Sequence, residues 1–290
     1  MLKLAKILCP VDFSEYSSKA YEYAYSFARH YGAKLFVQHA AEPWLDLHRS
    51  YVSPEFIEQT YERQVTALEG QVRELIATHS RDNIEAETVI QFGSPADSIL
   101  ALAGNERVDL IAMGTHGRRG LDRLVLGSTL ERVLRNAQCA VLAVHKPVRD
   151  FASPANPDDP IQLRRILWCT DFSEDSPRAL EFALSLALEY HAEITLLHVL
   201  EAGEDTDQER HGMRLLEDVI PDEVRTWAEP VSLVLRGEPY RKIVEHADRA
   251  QTDLIVMGVR GRNIVDRAIF GSTTYRVIQL GPCPVLTVRT

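Results

Sequence analysis

The chain is poor in cysteine. Its 290 residues hold four, Cys9, Cys139, Cys169 and Cys283, with no CxxC pair among them. Each sits in or beside an apolar run of strand character, which argues against a thiolate metal centre or a disulfide framework and predicts reduced thiols packed in cores. Basic charge is also short: 32 Lys and Arg stand against 42 Asp and Glu, a net charge of −10. No Lys/Arg run is long enough to stripe a polyanion, so nucleic acid is not an expected partner. No apolar stretch approaches the ~20 residues that a membrane span needs, and the apolar segment 1–13 carries no small-residue cleavage site. The expectation is a soluble, cytoplasmic protein with no membrane partner. Neither GxxxxGK[ST] nor GxGxxG occurs, which removes the commonest NTPase and dinucleotide fingerprints.

What the chain does have is internal repetition. Residues 6–40 align without a gap onto 165–199, with 15 of 35 positions identical, and residues 109–145 align onto 253–289, with 18 of 37 identical. Matches of that density mark a duplication. The offset is 159 in the first pair and 144 in the second, so the second copy is 15 residues shorter in its middle. Between the copies lies a stretch dense in Pro and Asp, without apolar periodicity, that reads as a linker. The domains expected are 1–148 and 162–290, joined by 149–161.

Within each copy, short β-rich runs alternate with helical periodicity. KILCPVD reads as a strand, and after it Tyr21, Ala24, Tyr25 and Ala28 recur at i, i+3, i+4, i+7. KLFVQHA, EAETVIQFG, DLIAMG and AVLAVH supply four more strands, with helices at 54–80, 95–105 and from Ser128. Ser17 and Ser176 fit helix N-caps, and Pro177 fits a first helical position. The fold class implied is α/β, two tandem doubly wound domains, each a mostly parallel five-stranded sheet with helices on both faces. In copy two the shortfall lies between Glu201 and Pro230, so its second helix is shorter, or broken near Pro221. The apolar final strands AVLAVH and CPVLTV would be exposed edges unless covered, and pairing them would make an intramolecular pseudo-dimer.

The segment that speaks of chemistry is Gly114-Thr-His-Gly117, nine residues, then Gly127-Ser128-Thr129. It recurs at the same spacing as Gly258-Val-Arg-Gly261, nine residues, then Gly271-Ser272-Thr273. Each first glycine ends an apolar strand and each Gly-Ser opens a helix, where free N–H groups and the helix dipole favour an anion. Asp12 and Asp171 end the first strands, placed to accept from a ribose or a base across a switch-point crevice. The plainer alternative is that the glycines only make turns.

These marks resemble the universal stress proteins in their tandem two-domain form. They are Val11-Asp12-Phe13-Ser14 and Thr170-Asp171-Phe172-Ser173, the strands ending in His39 and His198, and two G-x2-G-x9-G-[ST] loops. The resemblance points to the ATP-binding branch of that family. It implies ATP, with or without magnesium, as the ligand, with adenine and ribose on Val11, Asp12, Ala40 and Met113 in copy one and on Thr170, Asp171, Val199 and Met257 in copy two. The phosphates would fall on Gly114, Gly117, Gly127, Ser128 and Thr129, or on Gly258, Gly261, Gly271, Ser272 and Thr273. Two departures stand out: Ala40 where a Val is usual, and Val259-Arg260 where a small polar residue and His are typical.

Around this core, His116 and Arg260 share one loop position from which either could donate to a phosphate, the alternative being a solvated side chain. His39 and His198 read as hydrogen-bonded structural histidines and are left out of the site. Arg118, Arg119 and Arg262 could screen phosphate charge or simply be charged surface, and Tyr21, Tyr23, Tyr25 and Tyr31 read as packing. The function implied is a nucleotide-responsive stress or regulatory protein, one site per domain, with room for a further homodimer. Three rivals are kept: a slow ATPase or nucleotidyl-transfer enzyme, a non-binding interaction scaffold, and a cyclic-nucleotide binder. No lysine or evident base lies beside the loops, which speaks against a dedicated phosphoryl-transfer enzyme.

Overall fold

The structure is a computed structural model that describes residues 2–41, 54–79, 84–117, 125–145, 150–151, 161–201, 206–259 and 271–289. Copy one runs β1 (Lys6–Pro10), α1 (Glu15–Tyr31), β2 (Lys34–Ala41), α2 (Pro54–His79), β3 (Ala86–Phe92), α3 (Pro95–Glu106), β4 (Leu110–Gly114), α4 (Ser128–Asn136) and β5 (Ala140–Val144). Copy two runs β6 (Arg165–Thr170), α5 (Ser176–Tyr190), β7 (Glu193–Leu200), α6 (Thr206–Asp218), β8 (Val231–Arg236), α7 (Pro239–Arg249), β9 (Leu254–Gly258), α8 (Ser272–Leu280) and β10 (Val285–Val288). The alternation read from hydrophobic period is the alternation found. The second helix of copy two is the short one, 13 residues against 26, and a 3-10 turn at Val224–Thr226 follows Pro221.

The strands of the described residues form one ten-stranded sheet in the order β3-β2-β1-β4-β5-β10-β9-β6-β7-β8. Among the described residues pairing is parallel within each copy and antiparallel at β5–β10, where Leu142 faces Leu286 and Val141 faces Thr287. Leu142 and Leu286 are equivalent residues at the offset of 144, so the junction is self-complementary in the manner of a two-fold dimer interface. The Thr287 hydroxyl donates to the Val141 carbonyl across it at 3.2 Å, which satisfies a buried polar group at the seam.

Side chains alternate across the strands and build two cores, each continuous through both copies. Ile7, Cys9, Val37 and Trp168 join α1, α2, α5 and α6 on one face, while Leu8, Phe36, Leu167 and Cys169 join α3, α4, α7 and α8 on the other. Tyr21, Tyr23 and Tyr25 lie in the first core, as packing requires. All four cysteines are free; Cys9, Cys169 and Cys283 are buried and Cys139 is half-buried. Burial raises the Cys139 thiol to about 12 and raises Cys9 and Cys169 as well, so none of these three is a ready thiolate.

The helix starts differ from the sequence expectation by a few residues. The N-cap of α1 is Ser14, whose hydroxyl accepts from the Ser17 N–H at 3.2 Å, so Ser17 is the third helical residue rather than the cap. Asp175 holds the N-cap position of α5, with Ser176 the first helical residue and Pro177 the second. In copy one the reason is a tight turn at Asp12–Ser14 that starts the helix three residues early.

Candidate nucleotide site

The strand order places a switch point between β1 and β4. The chain leaves β1 for α1 on one face and leaves β4 for α4 on the other, so a crevice opens beyond their carboxyl ends. A cleft of ≈ 930 Å³ occupies that place. All ten copy-one residues expected from the sequence, Val11, Asp12, Ala40, Met113, Gly114, His116, Gly117, Gly127, Ser128 and Thr129, line it.

The first wall follows from the residues after β1. Asp12 Oδ1 accepts from the Ser14 N–H at 3.1 Å and from its hydroxyl at 2.6 Å, which folds the chain back on itself. Phe13 takes a left-handed φ of 62°, and its counterpart Phe172 takes 60°, a costly setting for an aromatic residue. Each phenyl ring lies 4.8 Å from a histidine ring, Phe13 on His39 and Phe172 on His198. His39 Nδ1 stands 2.7 Å from the Val11 carbonyl, and His198 Nδ1 stands 2.8 Å from the Thr170 carbonyl. A carbonyl only accepts, so each Nδ1 carries the proton and each histidine fastens the strand end that presents the aspartate. The structural reading of these histidines holds, though His39 also lines the cleft.

The second wall is the loop after β4. The Gly127 N–H donates to the Thr115 carbonyl at 2.8 Å and closes the loop at the start of α4. The Gly271 N–H makes the same bond to the Val259 carbonyl at 3.2 Å. Neither α4 nor α8 has a side-chain cap, and Ser128 and Ser272 are exposed, so the first-turn N–H groups are unclaimed by a capping side chain. That is the arrangement that receives a phosphate or another anion.

Gly114, Gly117 and Gly127 each have a local steric reason. A Cβ on Gly114 would meet the Tyr16 backbone carbon and Cβ at 2.8 Å, one on Gly117 would meet Asp12 Oδ2 at 2.6 Å, and one on Gly127 would meet the Thr115 carbonyl at 3.2 Å. Gly114 therefore lets α1 dock against β4, and Gly117 lets the loop lie against the aspartate. His116 is not the exposed loop residue that the sequence suggests. It is buried, with its ring 4.9 Å from that of Tyr16, its Nδ1 3.0 Å from the Thr115 hydroxyl and its Nε2 enclosed without a partner. The loop closure at Thr115 turns it inward.

In copy two, Thr170 and Met257 are buried at the ends of β6 and β9, and Asp171, Val199, Gly258, Gly271, Ser272 and Thr273 hold the equivalent stations. Asp171 Oδ1 accepts from the Ser173 N–H at 3.0 Å, as Asp12 does from Ser14. Arg260 and Gly261 lie outside the described residues, as do Arg118, Arg119 and Arg262. Sequence reasoning missed Gln64 and Leu68 of α2 and Pro95 and Ile99 of α3, which also line the copy-one cleft. The α2 residues belong to the segment that is not repeated between copies, so no internal comparison singles them out. Among the described residues no group of three or more His, Cys, Asp or Glu is placed to hold a metal ion, and no helix is long and apolar enough to cross a membrane.

A profile described as the Universal stress protein family matches residues 3–145 and again 162–289, and the chain belongs to that family in a tandem two-domain form. A universal stress protein of Thermus aquaticus is 35% identical over 138 residues, 48% of this chain and 96% of its own. One from Methanocaldococcus jannaschii is 31% identical over 147 residues, 50% of this chain and 84% of its own. The crystal structure of a universal stress protein from Archaeoglobus fulgidus, 24% identical, covers 99% of this chain and 97% of its own with a TM-score of 0.70, so the two-copy fold recurs there over its full length.

Proposed function

We propose that each copy, 1–148 and 162–290, binds one adenine nucleotide, ATP foremost, and that the protein acts in the cytoplasm as a nucleotide-responsive stress or regulatory protein. One observation carries this reading: a switch-point cleft of ≈ 930 Å³ that joins the Asp12 carboxylate to an uncapped helix start. Its volume falls within the ~300 to 1,000 Å³ of small-molecule sites. Asp12 would accept from the ribose hydroxyls, Val11, Ala40 and Met113 would wall the base, and Ser128 and Thr129 would donate to phosphate oxygens that lie against Gly127. A magnesium ion, when present, would ride on the phosphates, which suits an ion that keeps most of its own water.

The chemistry expected is binding with slow turnover at most. No lysine lies among the described residues lining the cleft, and His116, which lines it, is buried with its ring against that of Tyr16. Calorimetric titration of nucleotide-stripped protein with ATP should give a stoichiometry of two, one site lost in Asp12→Ala and the other in Asp171→Ala. Cyclic AMP titrated in parallel separates the cyclic-nucleotide reading. A stoichiometry of zero for both ligands would leave the interaction scaffold as the reading. Multiple-turnover phosphate release at the ~1 to 100 per second of kinases would instead make the protein an enzyme.

A further inference from the structure

The two candidate sites meet across the seam between the copies. Leu126, buried immediately before Gly127 in the copy-one loop, donates its backbone N–H to the Tyr275 hydroxyl at 3.4 Å. Tyr275 belongs to copy two. It is the fourth residue of α8, the helix whose first turn, Ser272–Thr273, is itself copy two's candidate phosphate cradle, and its own N–H donates to the Gly271 carbonyl at 2.9 Å.

The relation is not reciprocal in kind. At the offset of 144 the counterpart of Tyr275 is Glu131 on α4, whose carboxylate is engaged by Arg135 one turn along its own helix at 2.6 Å. A phenol that bonds across the seam in one copy is a carboxylate paired along its own helix in the other. We propose that Tyr275 of copy two is a positioning residue for the copy-one nucleotide loop, fixing the Val125–Leu126 peptide just ahead of Gly127 so that the first turn of α4 faces the ligand. The proposal rests on the nucleotide reading of the cleft.

The test is Tyr275→Phe, which removes only the hydroxyl. Each site is titrated with ATP in isolation, copy one in the Asp171→Ala background and copy two in the Asp12→Ala background. Loss of one hydrogen bond that orients the loop should weaken copy one by about 2- to 10-fold and leave copy two unchanged. Equal affinities with and without the hydroxyl at copy one would overturn the proposal, as would an equal loss at both copies, which is what general destabilisation produces. Amide hydrogen exchange of the ligand-free protein provides a readout independent of nucleotide: the peptide holding Leu126 should exchange faster in Tyr275→Phe. Faster exchange with no ATP binding in the unmutated chain would fail the nucleotide reading and leave the contact standing. Unchanged exchange would fail the contact itself.

Discussion

Asp12 and Gly117 come from opposite walls of the cleft and touch: a Cβ on Gly117 would stand 2.6 Å from Asp12 Oδ2, so only glycine lets the loop lie beside that carboxylate unmoved. Gly117→Ala meets the end of a side chain that can swing aside, so the fold should tolerate it while Asp12 leaves its place. We expect ATP binding at copy one to fall at least as far as in a conservative Asp12 change, with thermal stability little altered. Gly114→Ala is the contrasting variant. Its Cβ meets the Tyr16 backbone at 2.8 Å, which cannot swing, so overpacking should cost about 1 to 3 kcal/mol of stability. Denaturant unfolding and ATP titration of the two variants should show this crossed pattern.

Phe151 opens the connection between the copies, yet it is as buried as a core residue. Its ring meets Tyr23 edge-on at 4.7 Å and Phe27 at 6.1 Å, both on α1, and its neighbour Asp150 pairs with Lys19. The Phe151 carbonyl accepts from the Gln162 N–H at 3.2 Å, which brings the two ends of the connection together. Phe151→Ala should cost about 3 to 5 kcal/mol, the range for emptying a buried aromatic site, measured as a lowered denaturant midpoint with unchanged slope. A copy-one fragment ending at residue 148 should be less stable than one ending at 151 for the same reason.

The β5–β10 seam gives a prediction for the separated copies. Val141, Leu142 and Ala143 of β5 and Val285, Leu286 and Thr287 of β10 are all buried in the full chain. Cutting the chain exposes two apolar strand edges with unpaired backbone groups, which favour re-pairing. Fragments 1–151 and 162–290, expressed apart and mixed, should sediment as a complex, and each alone should self-associate. Fragments that remained monomeric alone and together would show that the seam contributes little.

The architecture was legible because duplication, strand-helix alternation and glycine spacing are all written in local periods. Several parts of the site were not, for reasons that lie in tertiary contact. Phe13 gives no sequence sign of its left-handed φ, since the residue that usually announces one is glycine. His116 looked exposed because it sits in a glycine loop, and the bond from Gly127 to Thr115 that turns it inward is visible only once the loop is closed. The spacing of Gly114 does not announce that its absent Cβ also makes room for Tyr16. Ser17 passed for a helix cap because the turn at Asp12–Ser14, which begins the helix earlier, depends on a side-chain bond that no period records. The contact of Tyr275 with Leu126 spans 149 positions and required the order of strands before it could be seen.

Acid should weaken the fold through two histidines. Burial holds His145 below its ordinary range; the hydrogen bond to the Gly281 backbone opposes that shift, and nearby His116 adds to it. His246 is lowered as well, by burial and then by Arg249. A histidine with a depressed folded pKa is neutral in the native state while the unfolded chain takes up a proton near its ordinary pKa of about 6.5. In the window between the two values the unfolded state binds more protons, so stability rises with pH there. The contribution is therefore fully present above about pH 6.5 and is lost as pH falls towards the folded value. Denaturant unfolding at pH 8 and pH 5.5 should show lower stability at the acid end, and His145→Gln together with His246→Gln should flatten the histidine part of that difference. A double variant with the same drop as the unmutated chain would assign the acid sensitivity to carboxylates instead.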